Sequence, residues 1–256
     1  MPKGQPRMME TVHHTTVAGH HLFYRTAGAG SPLVLVHGYG TSGALWLRVL
    51  PALAQRHKVF LVDLPGHGNS RLAGPWRLRE MAPLLACWLR DMQLPPISLI
   101  GQSMGGAIAL HLTALAPELV DRLILVSAAG MPLQASLPTL ALRSTRSVFQ
   151  PGSGGYPLRL LRDTLQPRPR VWWQSATEMI ESDFREEIAT ITLPTLILWG
   201  ERDLLLPIDL GRALHQALPD ATFVSLPQSG HRPMLTQPAI FSQIVLDFLS
   251  GNPLPM

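Results

Sequence analysis

The stretch that most constrains the fold of this chain is residues 98–112, which read SLIGQSMGGAIALHL. It starts as an apolar strand, passes through a glycine-rich turn and continues with apolar residues at helical spacing. The pattern G-x-S-x-G between a strand and a helix is typical of a sharp turn that lifts a serine hydroxyl clear of the sheet edge. Gly101 and Gly105 leave room where side chains would collide with that turn. Ser103 is therefore the candidate nucleophile.

Backbone N–H groups near Ser103 are expected to stabilise negative charge on a reacting oxygen. The helix that begins after Ser103 presents its free N–H groups, Met104 first, together with its positive dipole end. A second donor is expected after the apolar strand at residues 32–37, where a glycine-bearing turn precedes a helix. We assign this second donor to the Tyr39 N–H group. His37 is interpreted as a support for the turn rather than as a proton carrier.

Apolar strands alternate with amphipathic helical segments, which predicts an α/β fold with a mostly parallel central sheet flanked by helices. Besides the strand before Ser103 and a hairpin at 13–25, strands are predicted at 32–37, 58–63, 122–127, 194–200 and 222–226. Helices are predicted after Ser103 and at 42–56, 76–93, 208–218 and 239–249. The site should lie at the carboxyl ends of the parallel strands.

The alternation stops at residues 131–187, a segment that contains six prolines and a glycine cluster at 152–155. A structureless loop of this length is improbable in a compact domain, so we interpret the segment as an inserted helical cap. The core would then consist of residues 1–130 and 188–256.

Arginines are concentrated in the predicted cap, at Arg143, Arg146, Arg159, Arg162, Arg168 and Arg170. One interpretation is that they lie on solvated helix faces. The other is that they form a patch that receives an anionic or carrier-bound substrate, because guanidinium groups pair well with carboxylates and phosphates.

Two further residues after the cap complete a catalytic set. Asp203 follows the predicted strand at 194–200, and His231 follows the strand at 222–226. With Ser103 they give the chain order nucleophile, acid, base, the order found in α/β-hydrolase folds. Asp63 and His67 form a second candidate pair, but they lie only four residues apart on one tight loop, which suits local hydrogen bonding better.

Composition excludes several other classes of protein. Hydrophobic residues make up 46% of the chain and charged residues 15%, and we find no apolar run long enough to span a membrane. We expect no signal peptide, because no apolar segment follows the charged first residues. Cys87 is the one cysteine, so we expect a cytoplasmic protein without a disulfide. The net charge of +4 comes from dispersed arginines, which argues against nucleic-acid binding. We expect neither a metal site nor a cofactor, since HExxH and cysteine-rich spacings are lacking.

Taken together, the chain resembles the α/β-hydrolase superfamily in its serine-nucleophile, cap-bearing branch, which is carboxylesterase-like. The resemblance rests on several spaced motifs: His37-Gly38, the stretch DLPGHGNS at 63–70, GQSMGG at 101–106, LILWGERD at 196–203, and Gly230-His231. It implies that Ser103 is the nucleophile, that His231 is the general base and then acid, and that Asp203 orients the imidazole. The N–H groups of Tyr39 and Met104 would hold the oxyanion.

A serine nucleophile suits attack on a carboxylic ester or thioester, whereas relatives that act on alkyl halides or epoxides use aspartate. We expect a small-molecule ester with an apolar acyl or alkyl group. The predicted substrate contacts are Gly38, Gln102, Met131, Trp172 and Trp173.

Two alternatives remain open. Similar cap-bearing relatives hydrolyse carbon–carbon bonds of ring-fission products and share the Ser-Met-Gly-Gly run, although they usually carry Asn where this chain has Gln102. The other alternative is a ligand receptor on the same fold that binds without turnover.

Overall fold

One eight-stranded sheet forms the centre of the protein. The structure is a computed structural model that describes residues 9–133, 135–148, 169–181, 183–218 and 220–254. Its strands are β1 Thr11–Val17, β2 His20–Ala27, β3 Ser31–Val36, β4 His57–Asp63, β5 Ile97–Gln102, β6 Val120–Val126, β7 Thr195–Gly200 and β8 Thr222–Leu226. They lie in the order β1-β2-β4-β3-β5-β6-β7-β8. β2 pairs antiparallel with β1 and with β4, and the other neighbours are parallel.

Helices cover both faces of this sheet. They are α1 Leu50–Leu53, α2 Leu78–Asp91, α3 Met104–Leu115, α4 Leu137–Val148, α5 Pro169–Glu181, α6 Arg185–Ile188, α7 Ile208–Ala217, α8 Pro233–Thr236 and α9 Pro238–Ser250. The predicted α/β architecture is confirmed. Among the described residues, no helix combines the length and the apolar character that a membrane crossing requires.

Strand β3 illustrates why the central strands are apolar along their whole length. Val34 and Val36 belong to the apolar cluster that includes α2 and α3, whereas Leu33 and Leu35 belong to the cluster on the other face, with Trp46. A parallel strand covered on both faces must be apolar at every position, because neither face meets water.

The helix predicted at 42–56 is wrong in its extent. The structure has a 3₁₀ turn at Gly43–Trp46 and a separate short helix, α1. Pro51 lies in the first turn of α1, where its missing N–H group does no harm, but it cannot continue a helix that started one or two turns earlier. The helix predicted at 76–93 agrees with α2 within two residues at each end.

The strand order places the site. β3 lies between β4 and β5 in the sheet. The chain therefore moves to one side of β3 to form β4 and then crosses to the other side of β3 to form β5. Ligands of open α/β sheets bind at such a switch point, at the carboxyl ends of the strands. The turn after Val36 and the turn after Gln102 meet there.

Along the chain, α4, α5 and α6 lie between β6 and β7. α4 and α5 fall within the predicted cap, and α6 ends one residue beyond it. The Glu178 carboxylate on α5 accepts a hydrogen bond from the Leu78 N–H group at the start of α2, at 2.6 Å. Arg79 of α2 pairs with Glu187 of α6 and donates to the Asp183 carbonyl oxygen. These bonds attach α5 and α6 to the helix that flanks the sheet.

Candidate active site

Ser103 occupies a strained turn between β5 and α3. Its φ of 55° and ψ of −121° lie in a region that residues other than glycine rarely adopt. The surrounding backbone holds this conformation: the Ser103 N–H donates to the Val126 carbonyl at 3.0 Å, and the Ser103 carbonyl accepts from Gly106 and Ala129. The sharp turn predicted from the sequence is therefore present.

Two glycines allow the turn to pack against its neighbours. A Cβ atom on Gly105 would lie 2.5 Å from the carbonyl oxygens of both Val36 and His37. A Cβ atom on Gly101 would collide with the Gly105 carbonyl. Because these obstacles are backbone atoms, side chains cannot be accommodated there, and the start of α3 packs directly on the end of β3.

The turn after β3 is held by a buried histidine. His37 Nε2 accepts a hydrogen bond from the Leu64 N–H at 3.0 Å, so its Nδ1 carries the proton that is donated to the Gly38 carbonyl at 2.8 Å. The Thr41 hydroxyl donates to the same carbonyl at 2.7 Å. In a trans peptide the N–H group points away from the carbonyl, so these bonds fix the direction of the Tyr39 N–H group.

Asp203 and His231 are joined by a buried hydrogen bond. His231 Nδ1 lies 2.8 Å from Asp203 Oδ2, and both side chains are almost fully enclosed. The other carboxylate oxygen, Oδ1, accepts from the N–H groups of Leu205 and Leu206, each at 2.9 Å. The Trp199 indole donates to the Leu206 carbonyl and so steadies this loop.

The loops that carry Asp203 and His231 are packed directly on each other. The Arg202 N–H donates to the Ser229 carbonyl at 2.9 Å, and a Cβ atom on Gly200 would collide with the Gly230 carbonyl. The Ser229 and Thr236 hydroxyls are hydrogen-bonded at 2.9 Å, which ties the histidine loop to α8.

A cavity of about 360 Å³ opens between the sheet edge and helices α4 and α5. Its volume falls in the range of small-molecule sites. Most of its wall is apolar, and both Ser103 and His231 contribute to it. The lining residues are Tyr39, Gln102, Ser103, Leu137, Pro138, Leu140, Ala141, Ser144, Trp173, Ala176, Met179, Leu205, His231 and Arg232.

Among the predicted substrate contacts that the structure describes, two line the cavity and two lie beside other parts of the protein. Gln102 and Trp173 line the cavity. Gly38 lies against the Gln102 side chain, and Met131 is partly buried against the apolar core. The side chain of Trp172 lies outside the described part of the chain.

The predicted arginine patch is described only in part. Arg143 and Arg146 lie on α4, and Arg170 lies in α5. Arg159, Arg162 and Arg168 fall outside the described residues, so the patch as a whole stays a prediction.

The cavity also includes residues that the sequence reasoning missed. Leu205 lies two positions after Asp203, and Arg232 directly follows His231. Ala176 and Met179 come from α5. For Leu205 and Arg232 the sequence offers a signal, because they lie within two residues of Asp203 and His231 along the chain.

Asp63 and His67 lie close to the turn after β3 but serve local structure. The Asp63 carboxylate accepts from the N–H groups of Gly43 and Asn69 at 2.7 and 2.8 Å, and burial raises its pKa. Burial lowers the pKa of His67 to about 3. Within the described ranges, no cluster of three or more His, Cys, Asp and Glu residues could hold a metal ion.

Comparison with curated proteins identifies esterases as relatives. A pimeloyl-[acyl-carrier protein] methyl ester esterase of Chromobacterium violaceum is 32% identical over 253 residues, covering 89% of this chain and 98% of the relative. The enzyme of the same name from Photobacterium profundum is 30% identical over 263 residues, with the same two coverages. These relatives confirm the predicted class, a carboxylic ester hydrolase.

Solved structures confirm the fold. An esterase from Exiguobacterium antarcticum superposes with a TM-score of 0.84 at 20% identity and covers 93% of this chain and 98% of its own. A bacterial membrane phospholipase A superposes with a TM-score of 0.81 at 26% identity and covers 94% and 86%. The family model for the alpha/beta hydrolase fold matches residues 31–238. The chain therefore belongs to the alpha/beta hydrolase family.

Proposed function

We propose that this protein hydrolyses a carboxylic ester through an acyl-enzyme, with Ser103, His231 and Asp203 as its catalytic triad. The observation that carries the proposal is that Ser103 and His231 line one cavity while Asp203 holds the far side of the His231 ring at 2.8 Å. With Nδ1 donating to Asp203, Nε2 is the basic nitrogen of the neutral ring. A base of this kind can take the proton of a serine hydroxyl.

The proposed reaction has two halves, formation of the acyl-enzyme and its hydrolysis. The Ser103 oxygen attacks the ester carbonyl while its proton passes to His231, and the protonated His231 then gives that proton to the departing alcohol. In the second half water attacks the acyl-enzyme and loses a proton to His231. The bond between the acyl carbon and the Ser103 oxygen then breaks, His231 returns the proton to that oxygen, and the free acid leaves. Asp203 stabilises the imidazolium in both halves without taking the proton.

The oxyanion of each tetrahedral intermediate is assigned to two backbone donors, the N–H groups of Met104 and Tyr39. Met104 is the first residue of α3, where N–H groups lack partners within the helix. The Tyr39 N–H is held in direction by the two bonds to the Gly38 carbonyl. Donors that are fixed before reaction contribute most to rate, because no reorganisation is needed as the charge develops.

We infer further that the acyl group is apolar and is delivered by an acyl-carrier protein, as a methyl ester of the pimeloyl type. The apolar cavity wall supports the first part. The names of the relatives from Chromobacterium violaceum and Photobacterium profundum support the second. In this proposal residues 131–187 form the cap over the cavity, and Arg143 and Arg146 on α4 pair with anionic groups of the carrier.

The triad is tested by intact-protein mass spectrometry after treatment with a small fluorophosphonate, alongside turnover of p-nitrophenyl esters from acetate to decanoate. We expect one adduct, at Ser103, and loss of both adduct and turnover in Ser103→Ala. Ser225→Ala, a serine on β8 away from the cavity, is the matched control. Activity of Ser103→Ala within ten-fold of the parent contradicts the nucleophile assignment, and an adduct without ester turnover favours carbon–carbon cleavage or a receptor.

The carrier is tested by comparing methyl pimeloyl-carrier protein with free monomethyl pimelate. We expect the carrier-bound ester to have the higher kcat/KM, and this advantage to shrink as salt screens the charges. The double variant Arg143→Ala, Arg146→Ala should lose much of that advantage, whereas Arg212→Ala on α7 should keep it. Equal kcat/KM for the two esters contradicts the carrier proposal and leaves the triad untouched.

A further inference from the structure

The side chain of Gln102 lies between the three loops that form the site. It is 1% exposed and directly precedes Ser103. Its Nε2 donates to the backbone carbonyl of His231 at 3.2 Å. On its other side, Oε1 occupies the space that a side chain on Gly38 would need.

We propose that Gln102 is a positioning residue, which fixes the His231 loop and the Tyr39 turn against the Ser103 turn. This inference rests on the proposed function, because it concerns the alignment of the same triad. It assigns to Gln102 a role beyond that of a cavity wall.

The topology explains why such a bond matters. β6 and β7 separate β5 from β8 in the sheet, and His231 lies five residues beyond the end of β8. The Asp203 and His231 loops are hydrogen-bonded to each other and so form one unit beside Ser103. The Gln102 amide connects this pair directly to the residue that adjoins the nucleophile.

Gln102 also lies against the turn that carries the proposed oxyanion donor, the Tyr39 N–H group. The Gly38 carbonyl and the Tyr39 N–H belong to one peptide plane, whose carbonyl side is held by His37 and Thr41. Gln102 packs against the Cα atom of that plane. One side chain therefore contacts the backbone of the proposed base, His231, and that of Gly38, the residue before the proposed oxyanion donor.

Three substitutions separate positioning from simple packing. Gln102→Met keeps the length and apolar volume but removes the donor to His231. Gln102→Glu places an oxygen against the His231 carbonyl oxygen, which repels it. Gln102→Asn keeps an amide on a shorter side chain. The matched control is Gln243→Met, because Gln243 lies exposed on α9 and its amide donates to Asp247 at 2.9 Å.

The test measures kcat and KM for a p-nitrophenyl ester and the rate of fluorophosphonate labelling. A shift of about 1 Å in a reacting group costs about 100-fold in rate, so we expect kcat of Gln102→Met to fall about 10- to 100-fold with KM within about two-fold. Labelling should slow in parallel, Gln102→Glu should be slower still, and Gln243→Met should match the parent.

Three results would overturn the inference. They are unchanged kcat and labelling in Gln102→Met, a loss that appears only in KM, and an equal loss in Gln243→Met. Where Gln102→Met does not fold, Gln102→Asn and Gln102→Glu carry the same comparison. Ser103→Ala distinguishes a failure of the proposed function from a failure of this inference. Full turnover in Ser103→Ala would contradict the triad itself, whereas a normal kcat in Gln102→Met would contradict only the positioning role.

Discussion

His231 Nδ1 and Asp203 Oδ2 are 2.8 Å apart, and both side chains are almost fully buried. Asp203 cannot turn away, because its second oxygen accepts from the N–H groups of Leu205 and Leu206. The carboxylate therefore fixes both the tautomer and the direction of the imidazole. A charge buried in this way is stabilised by hydrogen bonds rather than by solvent.

Asp203→Asn tests this arrangement. An asparagine keeps the shape but presents an N–H group or a neutral oxygen to His231, so the ring is held in the wrong tautomer or is less stabilised when protonated. We expect kcat to fall by about 10⁴, as for the corresponding change in a serine protease. Asp209→Asn, an exposed carboxylate on α7, is the control and should leave kcat unchanged. A normal rate for Asp203→Asn would mean that another group orients His231.

The buried His37 predicts loss of stability in acid. Burial lowers the pKa of His37 to about 4, below its usual value of 6.5. The unfolded chain therefore takes up this proton at a higher pH than the folded protein does. The free energy of unfolding should fall as pH decreases from about 6.5 to about 4, with a contribution from His37 of about 3 kcal/mol.

Urea denaturation between pH 7.5 and pH 4 measures this effect. His37→Asn should be less stable at neutral pH but should show a shallower decline towards acid, because the titrating ring is gone. His14→Gln, an exposed change on β1, should keep the decline of the parent. Equal slopes for His37→Asn and the parent would show that His37 does not cause the decline.

Gly105→Ala should strongly destabilise the protein. The new methyl group would lie 2.5 Å from two backbone carbonyl oxygens, and neither can move without shifting β3 away from α3. We expect a loss of about 3 kcal/mol or more of unfolding free energy. At Gly251 the φ is 72° but the surroundings are open, so Gly251→Ala should cost only about 1 kcal/mol. Equal losses in the two variants would contradict the packing argument.

The sequence predicts the fold and the three triad candidates because each of these signals is local. Ser103, Asp203 and His231 each follow a short apolar strand, and parallel strands bring their carboxyl ends to one edge. The required glycines stand beside Ser103 in the same turn. Hydrophobic periodicity and turn chemistry within a few residues were sufficient for these predictions.

What the sequence did not reveal depends on contacts between distant segments. The bond from Gln102 to the His231 carbonyl spans 129 positions. Trp173 of α5 was predicted as a contact, but Ala176 and Met179 on the same helix were not. An apolar helix face has the same composition whether it meets a core or a cavity. The error at 42–56 has a different cause: Pro51 divides the segment, although its apolar spacing suits one helix.

The size of the acyl group is tested by filling the cavity from α5. Ala176 is 3% exposed and lies on the cavity wall, so Ala176→Phe would project a ring into the space assigned to the acyl chain. We expect kcat/KM for p-nitrophenyl octanoate and decanoate to fall about 10-fold or more, with the acetate within about three-fold, since each lost methylene contact costs about 10-fold or more in discrimination. Ala189→Phe, at an exposed position after α6, should leave the chain-length profile unchanged.

An unchanged profile in Ala176→Phe would place the acyl chain elsewhere. A uniform loss across all esters would instead indicate damage to the triad, which fluorophosphonate labelling of Ser103 detects independently.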